Sequence, residues 1–125
     1  MDQTAPRQVM DGAKTVYRRL SEIEAAPTAH AVGLKKVLLS AGETRSAVTQ
    51  IAVTTFRTGE KAGSHRHPTM DEHYLFIEGE GLMTVDGQSY ECRPGDYLLV
   101  GAGSLHELQA LTEMKFMTIG IAYDK

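Results

Sequence analysis

The chain has 125 residues and a formal net charge of −3, with 13 Lys and Arg against 16 Asp and Glu. A chain of this length can bury the core of one domain without disulfide support. Its content of 42% hydrophobic and 23% charged residues is ordinary for a globular protein. The basic residues are scattered, whereas phosphate binding needs a concentrated cationic surface, so we expect no nucleic-acid partner.

The sequence also bears on the cellular compartment. Residues 1–30 carry charges throughout and lack the apolar core of a signal peptide. The longest apolar run, 97–103, is too short to cross a bilayer, so no membrane association is expected. The single cysteine, Cys92, cannot form an internal disulfide, which favours a reducing compartment. We therefore predict a cytoplasmic protein in which Cys92 is a buried, inert thiol.

The first part of the chain, residues 1–30, is predicted to be a short N-terminal arm. Pro27 ends any helical turn that precedes it. His30 follows in a loop, and because nothing near it in sequence supports a site, we interpret it as an ordinary surface histidine. The domain itself is then predicted to span residues 31–125.

From Leu34 onward the pattern is typical of β-structure. After a strand at 34–39, the run 47–56 is rich in Val, Ile and Thr and is the most strand-like segment of the chain. Its alternation places Gln50 on the same face as Phe56. Whether Gln50 lines a pocket or meets solvent stays open.

Short strands separated by turns continue to the end of the chain. Asp86-Gly87 is the strongest hairpin signal, because Asp-Gly accepts the positive φ angles of a tight turn. Further strands are expected at 82–85, 88–92, 97–100, 105–111 and 115–122. Strands at this spacing predict an all-β sandwich or barrel.

Three candidate metal ligands lie close together in sequence. In a strand, alternate residues face the same way, so His65 and His67 project from one surface. A histidine pair followed by the carboxylate of Glu72 suits divalent metals that take nitrogen and oxygen ligands. A fourth candidate, His106, lies in a later strand.

The strand that begins at Glu72 separates inward from outward residues. Alternation sends His73 outward, so His73 is not an expected ligand. The inward side holds Tyr74, Phe76 and Glu78. Glu72 is a candidate proton shuttle, and Tyr74 and Glu78 are secondary acid/base candidates, although a tyrosine here is more often a wall residue.

The stretch around these ligands resembles the first motif of the cupin superfamily, G-x5-H-x-H-x3,4-E-x6-G. Every fixed position of that motif is matched, by Gly59, His65, His67, Glu72 and Gly79.

The second cupin motif, G-x5-P-x-G-x2-H-x3-N, is matched in part. Gly95, Gly103 and His106 are in register, but Gly101 replaces the proline and Ala110 replaces the asparagine. Neither departure falls on a ligand position. The missing asparagine removes one possible polar group from the pocket.

The resemblance implies a double-stranded β-helix, or jelly-roll barrel, with a divalent metal ion held by His65, His67, Glu72 and His106. Cupins bind iron, manganese, nickel, zinc or cobalt, and the residue types do not choose among them. Three imidazoles and one carboxylate leave about two positions of an octahedral ion for water, oxygen or substrate, as an open catalytic site requires.

Two classes of function stay open for such a site. One is a metal-dependent enzyme for a small molecule, with dioxygenase chemistry slightly ahead of isomerase or epimerase chemistry. A redox-capable metal could bind substrate and dioxygen together, whereas a redox-inert one could polarise a carbonyl group. The other is a non-catalytic module that binds or senses a small ligand.

The pocket walls and the surface give weaker expectations. Methionine and phenylalanine side chains could form a soft apolar pocket, but core packing is the expected role for most of them: Met70, Phe76, Met83, Met114, Phe116 and Met117. No inward cluster of Arg or Lys is expected, and the pair Lys35-Lys36 is interpreted as a solvated face. Small single-domain cupins commonly pair, so the resemblance also implies a homodimer, in which the outward Leu75 and Ile77 could take part.

Overall fold

A computed structural model describes residues 15–123 of the chain. This part contains two single-turn 3-10 helices, at Leu20–Glu22 and Ala41–Glu43, and ten strands. In chain order the strands are β1 (Ala26–Pro27), β2 (Leu34–Ser40), β3 (Val48–Phe56), β4 (Lys61–His65), β5 (Met70–Glu78), β6 (Gly81–Val85), β7 (Gln88–Cys92), β8 (Tyr97–Val100), β9 (His106–Ala110) and β10 (Met114–Ala122).

The strands form two antiparallel sheets that enclose one core. One sheet has the order β1-β2-β3-β10-β5-β8, and the other has the order β4-β9-β6-β7. Buried side chains from both sheets, such as Phe116 of β10 and Leu108 of β9, belong to the same cluster. The predicted all-β jelly-roll barrel is therefore confirmed.

The hairpin between β6 and β7 shows how closely local sequence dictates structure here. Asp86 has φ 48° and Gly87 has φ 86°, so both central residues lie in the left-handed region. Two-residue turns of this kind match the twist of the flanking strands, and Asp-Gly adopts them at little cost. The turn joins Val85 to Gln88, as the sequence predicts.

Strand β5 follows the predicted alternation along most of its length. Tyr74 and Phe76 are 5% and 1% exposed, whereas Leu75 and Ile77 are each 39% exposed. Burying an aromatic side chain of this size contributes about 1.5–3 kcal/mol to stability, so the inward face fixes the register of the strand.

Glu78, at the end of the same strand, departs from the prediction. Phe76 pairs with Phe116 of β10, but Glu78 pairs with Lys115, so β5 carries one extra residue between them. This bulge reverses the alternation. The Glu78 side chain is 66% exposed and lies 3.7 Å from the Lys115 ammonium. Its assignment as an inward acid/base candidate is wrong.

The core between the sheets is built from large side chains that the sequence analysis assigned to packing. Phe76, Met83 and Met114 are each at most 1% exposed, and the Phe56 and Phe116 rings meet edge to face at 5.3 Å. Such edge-to-face pairs are a favoured aromatic arrangement.

Cys92 belongs to this core and is only 2% exposed. Burial raises the pKa of its thiol to about 11. Near pH 8 the reactive thiolate is therefore roughly a hundred-fold scarcer than for an ordinary cysteine. We expect iodoacetamide to label native Cys92 at least about a hundred-fold more slowly than in urea-unfolded protein. Mass spectrometry of a labelling time course measures this ratio, and equal rates would contradict the buried thiol.

The predicted N-terminal arm, residues 1–30, lies partly outside the described residues, so its boundary stays a prediction. Its last residues join the edge of the larger sheet, where Ala26 and Pro27 pair with Lys35 and Leu34. Among residues 15–123, no helix has the length and apolarity that crossing a membrane would require.

Candidate metal centre

Four side chains from both sheets converge at one end of the barrel. His65 ends β4, His67 follows it in the loop, Glu72 lies on β5, and His106 begins β9. One potential ligand atom from each residue lies within 4.8 Å of all the others. The structure therefore brings together the four residues that the sequence analysis singled out as ligands.

A β-bulge in β4 turns His65 toward the other ligands. Ala62 pairs with Leu108 and His65 pairs with His106, so β4 carries one residue more than β9 between these pairs. Without the extra residue, alternation from the buried Ala62 would direct His65 outward. With it, the His65 and His106 rings lie next to each other across the strands, tilted by 52° with centroids 4.1 Å apart.

Backbone carbonyl groups orient two of the imidazoles. Nδ1 of His65 lies 2.8 Å from the Gly63 oxygen, and Nδ1 of His106 lies 3.0 Å from the Ser104 oxygen. If Nδ1–H donates in each case, Nε2 is left as a free electron-pair donor that points into the site.

His106 carries the clearest sign of a missing partner. It is 2% exposed, and its Nε2 has no hydrogen-bond partner among the described residues. The nearest acidic oxygen, Oε1 of Glu72, is 3.6 Å away, too far for a hydrogen bond. A buried polar atom without a partner costs about 1–3 kcal/mol, and a metal ion here would remove that cost.

Glu72 is prepared to act as an anionic ligand. Its Oε1 accepts a hydrogen bond of 2.8 Å from the Tyr74 hydroxyl and lies 3.4 Å from Nε2 of His67. Burial works to raise the pKa of Glu72, but His106, Tyr74 and His67 outweigh burial and hold this pKa below its usual value. The ionised form, which metal binding requires, is therefore favoured.

The pKa of Tyr74 is shifted in the opposite direction to that of Glu72. Burial, together with the charge of Glu72, raises the pKa of the Tyr74 hydroxyl well above its usual value. The hydroxyl therefore stays protonated and serves as a fixed hydrogen-bond donor. Its role in the structure is to orient the Glu72 carboxylate.

The chain on either side of the ligands is held by turns. The Asp86 N–H donates to the Leu105 carbonyl, and the Leu105 N–H donates back to Oδ1 of Asp86. The Gly103 N–H donates to the carbonyl of His67 at 2.8 Å. The Asp-Gly hairpin and the bend before β9 thus fix the backbone at His67 and next to His106.

The four ligand atoms open into a cavity of about 300 Å³. Its walls carry hydroxyl, amide, ammonium and apolar groups, among them Thr28, Lys35, Gln50, Thr54, Met70 and Phe116. The sequence did not decide whether Gln50 lines a pocket or meets solvent. In the structure, Gln50 lines the cavity. Of the apolar candidates, Met70 and Phe116 reach the cavity, whereas Met83 and Met114 belong to the core.

His30 is a cavity residue that the sequence analysis missed. It is exposed, as predicted, but its ring lies 4.4 Å from the His65 ring, so its interpretation as an ordinary surface histidine is wrong. Pairing of β1 with β2 brings the 28–33 loop to the cavity. Burial is the main cause that lowers the pKa of both His30 and His65, which favours their neutral forms.

Lys35 is the second missed residue. It was interpreted as part of a solvated pair with Lys36, but its ammonium lines the cavity and donates to Oε1 of Gln50 at 3.1 Å. Lys36 reaches away from the cavity to the Leu20 carbonyl at 3.3 Å. Successive strand residues point to opposite faces, so only one of the two lysines can line the cavity.

His73 lies apart from the cluster, as its position in the strand predicts. Its Nδ1 is 2.6 Å from the Tyr97 hydroxyl on the outer face of the larger sheet. The structure thus separates Glu72 from the histidine that follows it.

Comparison with known proteins agrees with this architecture. A family model described as "Cupin domain" matches residues 52–120, more than half of the chain. The chain belongs to this family. The resemblance drawn from the two motifs is therefore confirmed.

Two curated relatives match this cupin over part of their length. An uncharacterized protein of Methanocaldococcus jannaschii is 29% identical over 65 residues, which cover 52% of each chain. The dimethylsulfoniopropionate lyase DddW of Ruegeria pomeroyi is 36% identical over 56 residues, 45% of this chain and 36% of the lyase. The cupin thus spans about half or less of the length of these relatives.

Solved structures show the same fold. A predicted oxalate decarboxylase from Thermotoga maritima superposes with a TM-score of 0.76 at 23% identity, covering 83% of this chain and 96% of that one. An ectoine synthase from P. lautus gives a TM-score of 0.75 at 20% identity, covering 86% and 78%. At these identities the likeness concerns the fold alone.

The donor set itself suits a metal ion. Three imidazole nitrogens and one ionised carboxylate are ligands that iron, manganese, nickel and zinc all accept. Two observations fit a cation at this point: Nε2 of His106 has no hydrogen-bond partner among the described residues, and the pKa of Glu72 is below its usual value. The cluster could therefore hold a metal ion, which His65, His67, Glu72 and His106 would ligate.

Proposed function

We propose that this cupin is a metal-dependent enzyme that acts on a small molecule in the cavity. The observation that carries the proposal is the buried, unpartnered Nε2 of His106, which converges with three other ligand atoms beside an open cavity. A bound divalent ion (iron, manganese, nickel or zinc) would supply Lewis-acid chemistry or, if redox-capable, dioxygen chemistry.

The residues around the ligands favour proton transfer over oxygen chemistry. His30 is an imidazole outside the ligand set that lies against His65 and lines the cavity, so it could accept or return a substrate proton. Tyr74 keeps Glu72 oriented through its hydroxyl. The curated relative that is named as an enzyme is a lyase, which also supports this branch.

Isomerase, epimerase or elimination chemistry therefore moves ahead of the dioxygenase chemistry that the sequence analysis placed first. The dioxygenase remains the second candidate, because the same donor set suits iron. Elemental analysis of protein purified without added metal, combined with oxygen uptake on a substrate panel, separates the two. Iron with substrate-dependent uptake supports the dioxygenase. Substrate conversion without uptake supports proton transfer.

A third outcome of that experiment would contradict the enzyme proposal. If the metal-loaded protein bound ligands tightly but consumed neither oxygen nor ligand, the protein would be a binding or sensing module. The open cavity alone is compatible with both roles, so turnover is the deciding measurement.

The substitution His30→Gln tests the proton-transfer branch. Because general acid–base groups contribute about 10²–10⁴-fold to rate, we expect kcat to fall at least about ten-fold. Metal content should stay at the wild-type level, since His30 lies outside the ligand set. The matched control is His73→Gln on the outer face, which should leave kcat unchanged. Equal activities of the two variants would remove His30 from the mechanism.

We further propose a homodimer in a reducing, cytoplasmic environment. Leu75, Ile77, Tyr97 and Leu99 are all between 39% and 59% exposed on neighbouring strands of the larger sheet, and they could form the contact. Light scattering coupled to size exclusion tests the dimer, and a monomer at all concentrations would overturn it.

A further inference from the structure

Lys35 is the one Lys or Arg among the described residues that line the cavity. Its side chain is partly buried, and its ammonium donates to a neutral acceptor, the Gln50 amide oxygen. No carboxylate of the described residues lies within 4.0 Å of it, whereas Lys61 and Lys115 lie 3.5 and 3.7 Å from Glu107 and Glu78. A partly desolvated cation with a neutral partner attracts an anion.

Gln50 adds a second donor at the same place. Its amide oxygen accepts from Lys35, which leaves the amide N–H groups of the same side chain free to donate to an oxygen beside the ammonium. An ammonium next to an amide N–H is a suitable pair of donors for one carboxylate.

Lys35 and the ligand Glu72 lie on strands of the larger sheet that are separated by β3 and β10. In the larger sheet Gln50 of β3 pairs with Gly120 of β10, which pairs with Glu72 of β5. Two interstrand spacings therefore separate the Gln50 and Glu72 backbones, roughly 10 Å. Lys35 lies on β2, one strand farther out. A molecule that bridges the two positions needs several bonds between its ends.

The rest of the cavity adds no competing charge. Glu72 is its one carboxylate among the described lining residues, and it belongs to the metal centre. The other lining residues include hydroxyl and apolar groups such as Thr54, Tyr74 and Phe116. The charges are thus complementary to an elongated small acid.

We propose that Lys35 and Gln50 form an anion subsite, so that the ligand of this cupin is a small aliphatic acid with a metal-chelating head and a carboxylate tail. The head would meet the metal centre, and the tail would accept hydrogen bonds from Lys35 and Gln50. This inference deepens the proposed function and rests on it for the metal end of the ligand.

The test uses acids that share one head. 2-Hydroxyglutarate and 2-hydroxyadipate carry a second carboxylate, whereas 2-hydroxyhexanoate has the same chelating head and an uncharged tail. Isothermal titration calorimetry on metal-loaded protein measures each affinity. Because a hydrogen bond to a charged group contributes about ten- to hundred-fold in affinity, the better diacid should bind at least about ten-fold tighter than the monoacid.

Substitutions at three positions test which residues cause the preference for diacids. Lys35→Gln should remove the diacid preference and leave the monoacid affinity and the metal content unchanged. Lys36→Gln, on the neighbouring residue that points away from the cavity, should leave all three affinities unchanged. Gln50→Glu should also remove the preference, because its carboxylate would pair with Lys35 and occupy the subsite. Thermal unfolding of each variant verifies that it is folded.

Several outcomes would overturn the subsite: equal wild-type affinity for diacids and monoacid, a diacid preference that survives both Lys35→Gln and Gln50→Glu, or the same loss in Lys36→Gln. The results that would contradict the proposed enzyme function differ from those that would contradict the subsite. Diacid binding that depends on Lys35, with no turnover of any substrate, supports the subsite and removes the enzyme. Substrate turnover, together with equal wild-type affinities for the diacids and the monoacid, keeps the enzyme and removes the subsite.

Discussion

Replacing His106 with alanine is expected to abolish stoichiometric metal binding. Nε2 of His106 is a buried ligand atom with no hydrogen-bond partner among the described residues, and His106 is only 2% exposed. An alanine at this position offers no atom that could replace Nε2 as a ligand. Since changes that merely support a ligand cost about 10–100-fold in metal affinity, loss of the ligand itself should cost more than about a hundred-fold. Turnover should be lost with the metal.

The measurement is metal content after dialysis, by elemental analysis, together with a titration of metal back into each protein. His73→Ala is the matched control, because His73 is a histidine of the same sheet whose ring faces outward to Tyr97. It should retain wild-type metal content. A His106→Ala protein that is folded and still binds one metal ion with wild-type affinity would contradict the assigned cluster.

Much of this site could be predicted because its information is local. His65, His67 and Glu72 lie within eight positions, and strand alternation alone separates Glu72 from His73. His106 is different, since it is 34 residues beyond Glu72 and only the motif of the family connects it to the others. The structure brings it opposite His65 through the pairing of β4 with β9.

The missed residues have separate physical causes. His30 follows β1, a two-residue strand whose sequence, Ala-Pro, carries no alternation to read, and the pairing of β1 with β2 brings its loop to the cavity. Lys35 lies on β2 itself, where two adjacent lysines give no sign of which one faces inward. Glu78 was placed wrongly because a bulge between β5 and β10 inserts one residue and reverses the alternation after Phe76. Periodicity describes an uninterrupted strand, whereas bulges and sheet edges depend on partners that are distant in sequence.

Gly79→Ala is expected to be the most destabilising single substitution among the motif glycines. Gly79 has φ +76°, and a Cβ there would overlap the Glu113 carbonyl oxygen and lie 2.8 Å from Cα of Met114. Both obstacles are backbone atoms, so no side-chain rotation relieves them. The strained φ costs about 1–3 kcal/mol, and the overlap adds to it, so we expect a total loss above about 3 kcal/mol.

Substituting the glycine at the other end of the same motif separates the cost of the strained φ angle from the cost of the overlap. Gly59 has φ +86°, but a Cβ there would have no atom within 4 Å, so Gly59→Ala should show the conformational cost alone, about 1 kcal/mol. Urea unfolding of both metal-free variants gives their free energies of unfolding, and a variant too unstable to purify is compared by its yield of folded protein. If the two substitutions lower the free energy of unfolding by the same amount, close packing against Glu113 does not explain why the motif ends in glycine. If Gly79→Ala is the more costly by about 2 kcal/mol or more, the first motif ends in glycine because the turn after β5 packs directly on the backbone that starts β10.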